Sequence, residues 1–158
     1  MKNSLDLLGK NYLELLVVSS KNSNFDLKQK VHLKNFMKSE IQISKLINCS
    51  DFLLFPSRAD NLPNVVLESL SCYKPVVAFD VGGLRDVIKH KFNGYLAKPF
   101  DIADFCKGID FVSNNSKKLS KNISNDHNFK EYVDQNGITE KYLKFFQKIN
   151  KHYESKSS

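Results

Sequence analysis

The chain has 158 residues, of which 41% are hydrophobic and 26% charged, enough for one ordinary core without a disulfide or metal staple. Its 24 basic against 17 acidic side chains leave a net charge of +7, which favours anionic partners such as nucleotide phosphates, nucleic acid or acidic lipid without choosing among them. No run approaches the ~20 apolar residues of a membrane span, and Met1-Lys2-Asn3-Ser4 lacks the apolar stretch of a signal peptide, so a cytoplasmic chain is expected.

Short β-type apolar runs alternate with amphipathic stretches up to about Asn115. In chain order the pattern predicts strands at Tyr12–Val18 and Val31–Leu33, a helix over Ser39–Asn48, and a buried strand at Asp51–Phe55. A helix over Asn64–Cys72, a strand at Pro75–Phe79, a helix over Leu84–Lys89, a strand at Gly94–Ala97 and a helix over Asp101–Val112 follow. Strands separated by helices of this length call for right-handed crossovers, hence a doubly wound, Rossmann-like parallel sheet in an α/β fold. The apolar runs are continuous rather than alternating, as in strands covered on both faces.

After Val112 the composition turns polar. Ser113–Lys118 reads as a loop, which divides the chain into a 1–115 domain and a 116–158 helical extension packing on it. Two further helices are expected near Asn128–Gln135 and Ile138–Tyr153. In the last, Ile138, Tyr142, Phe145, Ile149 and Tyr153 share a face, and Lys141, Lys144, Lys148 and Lys151 form a separate basic stripe. That stripe suits either a solvated helix side or peripheral contact with acidic lipid. Cys49, Cys72 and Cys106 are widely spaced, with no C-x-x-C pair, so reduced, packed thiols are expected and no metal centre.

The segment Asp51–Asp101 carries the chemistry. A buried strand ends at Pro56, the polar loop Ser57-Arg58-Ala59-Asp60-Asn61 follows, and Pro63 suits the first turn of a helix, where its missing N–H has no partner to lose. In an open parallel sheet such a loop lies at the carboxyl edge of the strands, where ligands bind. Asp60 stands in the loop and Glu68 just over one turn into the helix. Helical side chains lean toward the N-terminus, so both carboxylates can face one crevice. The opening amides of Asn64, Val65 and Val66 add donors and a positive dipole end. Carboxylates accept from sugar diols and amides donate to phosphate; a nucleotide sugar has both. Spacing alone leaves open that Asp60 caps a turn and Glu68 is a solvated helix residue.

The stretch PSRADNLPNVVLESLSCYKPVVAFDVGGLRDVIKHKFNGYLAKPFD resembles the donor-nucleotide half of a family 4 retaining glycosyltransferase of the GT-B fold, marked by two acids with seven residues between them, then A-C-G-x-P-V-V, G-G and N-G-x-L. LINCSDFLLFPS and the strand-like YLELLVVSS extend the likeness over about Leu7–Val112. The resemblance implies a nucleotide-diphosphate sugar as substrate, no metal cofactor, and a place in surface polysaccharide or glycolipid synthesis at the inner face of a membrane. It assigns Asp60 and Glu68 as the catalytic-site pair, acting as binding groups: Glu68 on the nucleotide ribose, Asp60 on the transferred sugar. It surrounds them with Arg58, Asn61, Leu62, Pro63, Asn64 and Val65, and with Gly82 and Gly83 across the cleft. Two departures stand out: Asp60 replaces the commoner Glu, and Tyr73 replaces the usual Gly. The family's acceptor domain and its first donor-domain strand, with a basic loop gripping the diphosphate, have no counterpart here. An acceptor domain or partner chain is therefore expected as a partner, and the alternatives are an inactive fragment or one subunit of a split enzyme. A non-enzymatic basic module for anionic membrane or nucleic acid is the remaining alternative; no recognised nucleic-acid motif supports it, so no nucleic-acid partner is expected.

Overall fold

The computed structural model describes residues 14–19, 30–35 and 39–129. Two compact units part between Ser124 and Asn125, and the second contributes only residues 125–129 to the description. Five strands and four helices make up the described part of the first: β1 (Leu15–Ser19), β2 (Val31–Asn35), α1 (Glu40–Asn48), β3 (Leu53–Phe55), α2 (Asn64–Ser71), β4 (Val76–Phe79), α3 (Leu84–Val87), β5 (Gly94–Ala97) and α4 (Ile102–Ser124).

The architecture is α/β, Rossmann-like and parallel throughout, as the alternation of elements predicts. Among the described residues the strands form two ladders, β1–β2 and β3–β4–β5, where one sheet was expected. The register runs Leu15 opposite Val31 in the first, with Leu53 opposite Val76 and Val76 opposite Gly94 in the second. All four residues of β4, Val76 to Phe79, are buried, so both faces of that ladder are covered. On one face Val77 and Phe79 join Tyr95 and Ala97 of β5 against Phe105, Ile109, Val112 and Leu119 of α4. Alternation along the strand sends Val76 and Ala78 to the opposite face. α4 sits close: a Cβ at Gly108 would come within 2.6 Å of the Tyr95 ring.

The helix predicted to end at Val112 continues to Ser124 through the polar stretch Ser113–Lys118, which is no loop. The buried series Phe105, Ile109, Val112, Leu119 and Ile123 keeps helical spacing across it, and Asn115 Nδ2 donates to Phe111 O at 2.8 Å. Packing thus holds one face while serines, asparagines and lysines form the solvated one. Residues 130–158 lie outside the described ones, and with them the lysine stripe and nearly all of both expected C-terminal helices.

Tyr73 has φ of 58°. It sits one residue past the α2 cap, where its N–H donates to Leu70 O (2.9 Å) and the Lys74 N–H donates to Ser69 O (2.8 Å), the paired bonds of a left-handed helix stop. The turn keeps the shape a glycine would prefer although the residue is tyrosine. Among the described residues no disulfide joins the three cysteines, and they are not uniformly packed: Cys106 is buried, Cys72 half-buried and Cys49 exposed.

Candidate functional site

Both segments singled out by the sequence emerge from the carboxyl ends of neighbouring strands: Pro56–Pro63 follows β3 and Asp80–Gly83 follows β4. They meet backbone to backbone. The Gly83 N–H donates to Asn61 O at 2.7 Å, and Gly82, with φ of 56°, lies so close to the Asp60 carbonyl that a Cβ there would sit 1.8 Å from its oxygen. At Gly83 the corresponding approach to Asn61 O is 2.6 Å. Glycine is required at both positions, once for the dihedral and twice for the space. The Gly-Gly pair is therefore the seat on which the Asp60–Asn61 loop rests.

Arg58, Asp60, Asn61 and Asn64 are exposed, whereas Leu62, Pro63, Val65 and Glu68 are half-buried. Pro63 is the N-cap of α2 (φ −72°, ψ 131°) rather than its first helical residue. This shift corrects one expectation. The Val66 N–H is not free, because it donates to Pro63 O at 3.0 Å. Asn64 and Val65 keep N–H groups with no helical carbonyl to bond, and the first turn of α2 holds no acidic residue to compete for an anion there. Among the described residues neither the Asp60 nor the Glu68 carboxylate is engaged in an ion pair or side-chain hydrogen bond.

The two cations near the loops differ. Arg85 grips Asp80 with both arms, Nε to Oδ1 at 3.1 Å and Nη2 to Oδ2 at 2.9 Å, so its fork is already occupied. Arg58 lies with its guanidinium carbon 5.8 Å from the centre of the Phe100 ring, and Phe100 stands 6.2 Å from Phe79, whose ring is 4.8 Å from Phe105 in the core. A chain of aromatic rings thus supports a cation whose hydrogen-bonding edges have no partner among the described residues, on the loop that carries Asp60. The sequence motifs pointed to neither Asp80 nor Phe100: the first is recognisable only through its bidentate partner, the second only once the end of β5 is known to pass beside β4.

Behind the site, the start of α4 is fixed by carboxylates. Asp101 Oδ1 accepts from the Asp104 N–H (2.9 Å), and Asp104 accepts from the Lys98 N–H (2.8 Å) and the Tyr95 hydroxyl (3.0 Å). The Lys98 N–H, foremost, holds the Asp104 carboxyl below its ordinary range, while burial, and after it the bond to Asp104, pushes the Tyr95 phenol up. Among the described residues no three His, Cys, Asp or Glu side chains cluster as a metal ion would need, and no helix is long and apolar enough to cross a membrane.

The family model for glycosyl transferases group 1 matches residues 8–133, most of the chain. A Haemophilus influenzae protein named as an uncharacterized glycosyltransferase is 28% identical over 108 residues, 64% of this chain and 31% of its own length. A Campylobacter jejuni N,N'-diacetylbacillosaminyl-diphospho-undecaprenol alpha-1,3-N-acetylgalactosaminyltransferase is 27% identical over 120 residues, 74% of this chain and 31% of its length. The Anabaena HepE structure in complex with UDP-glucose superimposes with a TM-score of 0.55 at 25% identity, over 64% of this chain and 27% of HepE. The TarM crystal structure shares the fold alone: TM-score 0.69 at 21% identity, over 91% of this chain and 31% of TarM. The chain thus spans about a third of the length of the relatives it matches. Two glycine-seated loops at the carboxyl edge of a parallel sheet, within a segment that this model covers from end to end, place the chain in the glycosyl transferases group 1 family.

Proposed function

We propose that this chain is the donor-binding half of a family 4 retaining glycosyltransferase, and that it holds a nucleotide-diphosphate sugar between the Arg58–Val65 segment and Gly82–Gly83. The observation that carries the reading is the backbone contact of Gly82 and Gly83 with Asp60 and Asn61. It fixes an unpaired carboxylate and a row of amides on one rim at the sheet edge where ligands of such folds bind. HepE, seen with UDP-glucose, supports a nucleotide sugar as the ligand.

In this reading Glu68 accepts from the ribose hydroxyls and Asp60 from hydroxyls of the transferred sugar. The N–H groups of Asn61, Leu62, Asn64 and Val65 donate to sugar and diphosphate; Pro63 supplies none. Glycosyl transfer breaks the anomeric C–O bond to the diphosphate and joins the sugar to an acceptor hydroxyl with retained configuration. Charge developing on the leaving phosphate is met by those amides and by Arg58, a preorganised set of donors. Neither acid serves as a nucleophile, and no metal takes part, so ligand binding is expected to survive a chelator.

The Campylobacter relative, whose name carries a diphospho-undecaprenol-linked sugar, supports a lipid-linked glycan as acceptor; a place in surface polysaccharide or glycolipid synthesis at the inner face of a membrane is part of the same proposal. Because the chain spans only about a third of such relatives, acceptor recognition falls to polypeptide beyond it, and the isolated chain is expected to bind donor without turning it over. Calorimetric titration with UDP- and GDP-sugars tests the reading. Glu68→Ala should lose charge-assisted bonds to the ribose worth about 1.5–3 kcal/mol, roughly 10- to 150-fold in affinity. Wild-type affinity in that variant, or no nucleotide-sugar binding by the native chain, would refute it.

A further inference from the structure

Lys98–Asp101, which leaves β5 at the carboxyl edge of the sheet, is a tight turn closed by the Asp101 N–H donating to Lys98 O at 3.1 Å. Pro99 takes its second position, and Phe100, with φ of 62°, its third. Proline followed by a left-handed residue is the pattern of a type II turn, whose third position favours glycine or asparagine. Phenylalanine is strained there, and Phe100 is 56% exposed, so neither the turn nor burial in the core calls for it. Strain kept at an exposed position on a ligand-binding edge points to a task for the side chain.

The ring has two neighbours. Phe79, itself stacked on Phe105 of the core, lies 6.2 Å away and tilted by 52°, and the Arg58 guanidinium carbon lies 5.8 Å from the ring centre. Arg58 stands in a small bend that Ser57 closes by donating from Oγ to Ala59 O at 3.1 Å. Among the described residues its guanidinium has no hydrogen-bonded or ionic partner, whereas Arg85 is spent on Asp80. A solvated arginine samples many rotamers. One that rests on a braced ring samples fewer and loses less freedom when it meets an anion. The loops after β3 and β5 are thereby tied together by a cation on a ring.

We propose that Phe100 is a positioning residue, which holds Arg58 at the rim so that the open edge of the guanidinium meets the diphosphate of the bound donor. The fork of an arginine matches two phosphate oxygens at once, and that match depends on where the fork is held. Phe100 touches no substrate in this role; it acts through Arg58. The inference rests on the donor-sugar reading and adds to it a residue on a third loop, after β5, that none of the sequence motifs marks.

Calorimetric titration of the 158-residue chain with UDP and with GDP, beside thermal melts of the same samples, tests it. Arg58→Ala should weaken binding of whichever diphosphate the wild type takes by about tenfold or more. Phe100→Leu keeps an apolar side chain on the same strained backbone but offers no π face, and should weaken binding by about three- to tenfold. Phe100→Tyr keeps the ring and should bind within about twofold of wild type. Phe100→Asn, a residue the left-handed turn accepts, should melt within about 3 °C of wild type and bind as weakly as Phe100→Leu. In an Arg58→Ala background, Phe100→Leu should change affinity by less than about twofold, because the group it positions is gone. Wild-type affinity in Phe100→Leu and Phe100→Asn, a loss in Phe100→Tyr as large as in Phe100→Leu, or an undiminished loss in the Arg58→Ala background overturns the inference and leaves the donor-sugar reading standing. A wild-type chain that binds neither UDP nor GDP removes that reading and this inference together.

Discussion

Placing a single methyl group at Gly82 tests the contact on which the site rests. Gly82→Ala confronts two obstacles. At φ of 56° an alanine is strained by roughly 1–2 kcal/mol, partly offset by the 0.4–1 kcal/mol that a less flexible unfolded chain returns. The added carbon would also sit 1.8 Å from the Asp60 oxygen, where no contact under 3.0 Å is tolerable. A backbone carbonyl cannot rotate aside as a side chain can, so the loop must retreat by more than an ångström. The net cost is on the order of 2–3 kcal/mol, which for a chain of this size lowers the melting temperature by about 5–10 °C. Below the transition the folded protein should still bind a nucleotide sugar at least tenfold more weakly, because displacements of this size carry large penalties in preorganised sites. Differential scanning fluorimetry and calorimetry on the same samples separate the two effects. A variant that melts within a degree of wild type and binds equally well would show that the loops do not touch as described.

Tyr73→Gly should do the opposite and stabilise, because the left-handed stop after α2 charges tyrosine roughly 1–2 kcal/mol while the extra freedom of unfolded glycine takes back 0.4–1 kcal/mol; a rise of about 1–3 °C in melting temperature is expected, and a fall would refute the strain. Asn93, 1% exposed, bridges Val87 O (2.9 Å) and the Lys89 N–H (2.8 Å), so Asn93→Ala takes the donor from the buried Val87 carbonyl and the acceptor from the part-buried Lys89 bond, and should cost about 1–3 kcal/mol in urea unfolding. The folded Asp104 carboxyl titrates below its unfolded value near 3.9, so its contribution is complete above that value and is lost as pH falls through the lower, folded one. The melting-temperature gap between wild type and Asp104→Asn should therefore be steady near neutrality and shrink only below about pH 4; a gap independent of pH down to 2.5 would exclude the assignment.

Much of the α/β order was legible because the apolar runs are short, continuous and punctuated: Gly94–Ala97 was read to the residue, and β4 to within one. The length of α4 was not, since Ser113–Lys118 has the composition of a loop and only the buried residues on either side, Val112 and Leu119, carry the helical spacing through it. The division into two ladders was equally hidden, because periodicity shows that a strand exists and not which strand lies beside it. At the site the sequence identified the loop, the helix start and the Gly-Gly turn but not how they meet; Gly82 against the Asp60 carbonyl is a contact between backbones that no side-chain pattern encodes. Arg85 reads as a spare cation until Asp80 is seen to hold it. Asn93 reads as an ordinary turn residue until its burial reveals a clasp.

The three thiols are graded by depth, and burial, foremost, raises the Cys106 thiol above its ordinary range. Reactivity toward an alkylating reagent follows the thiolate that each side chain can present, so Cys49 should be modified first, Cys72 more slowly, and Cys106 only when local opening relieves its burial. The chain thereby carries its own chemical clock: counting labels by mass against time reports how often the core breathes, with no engineered probe.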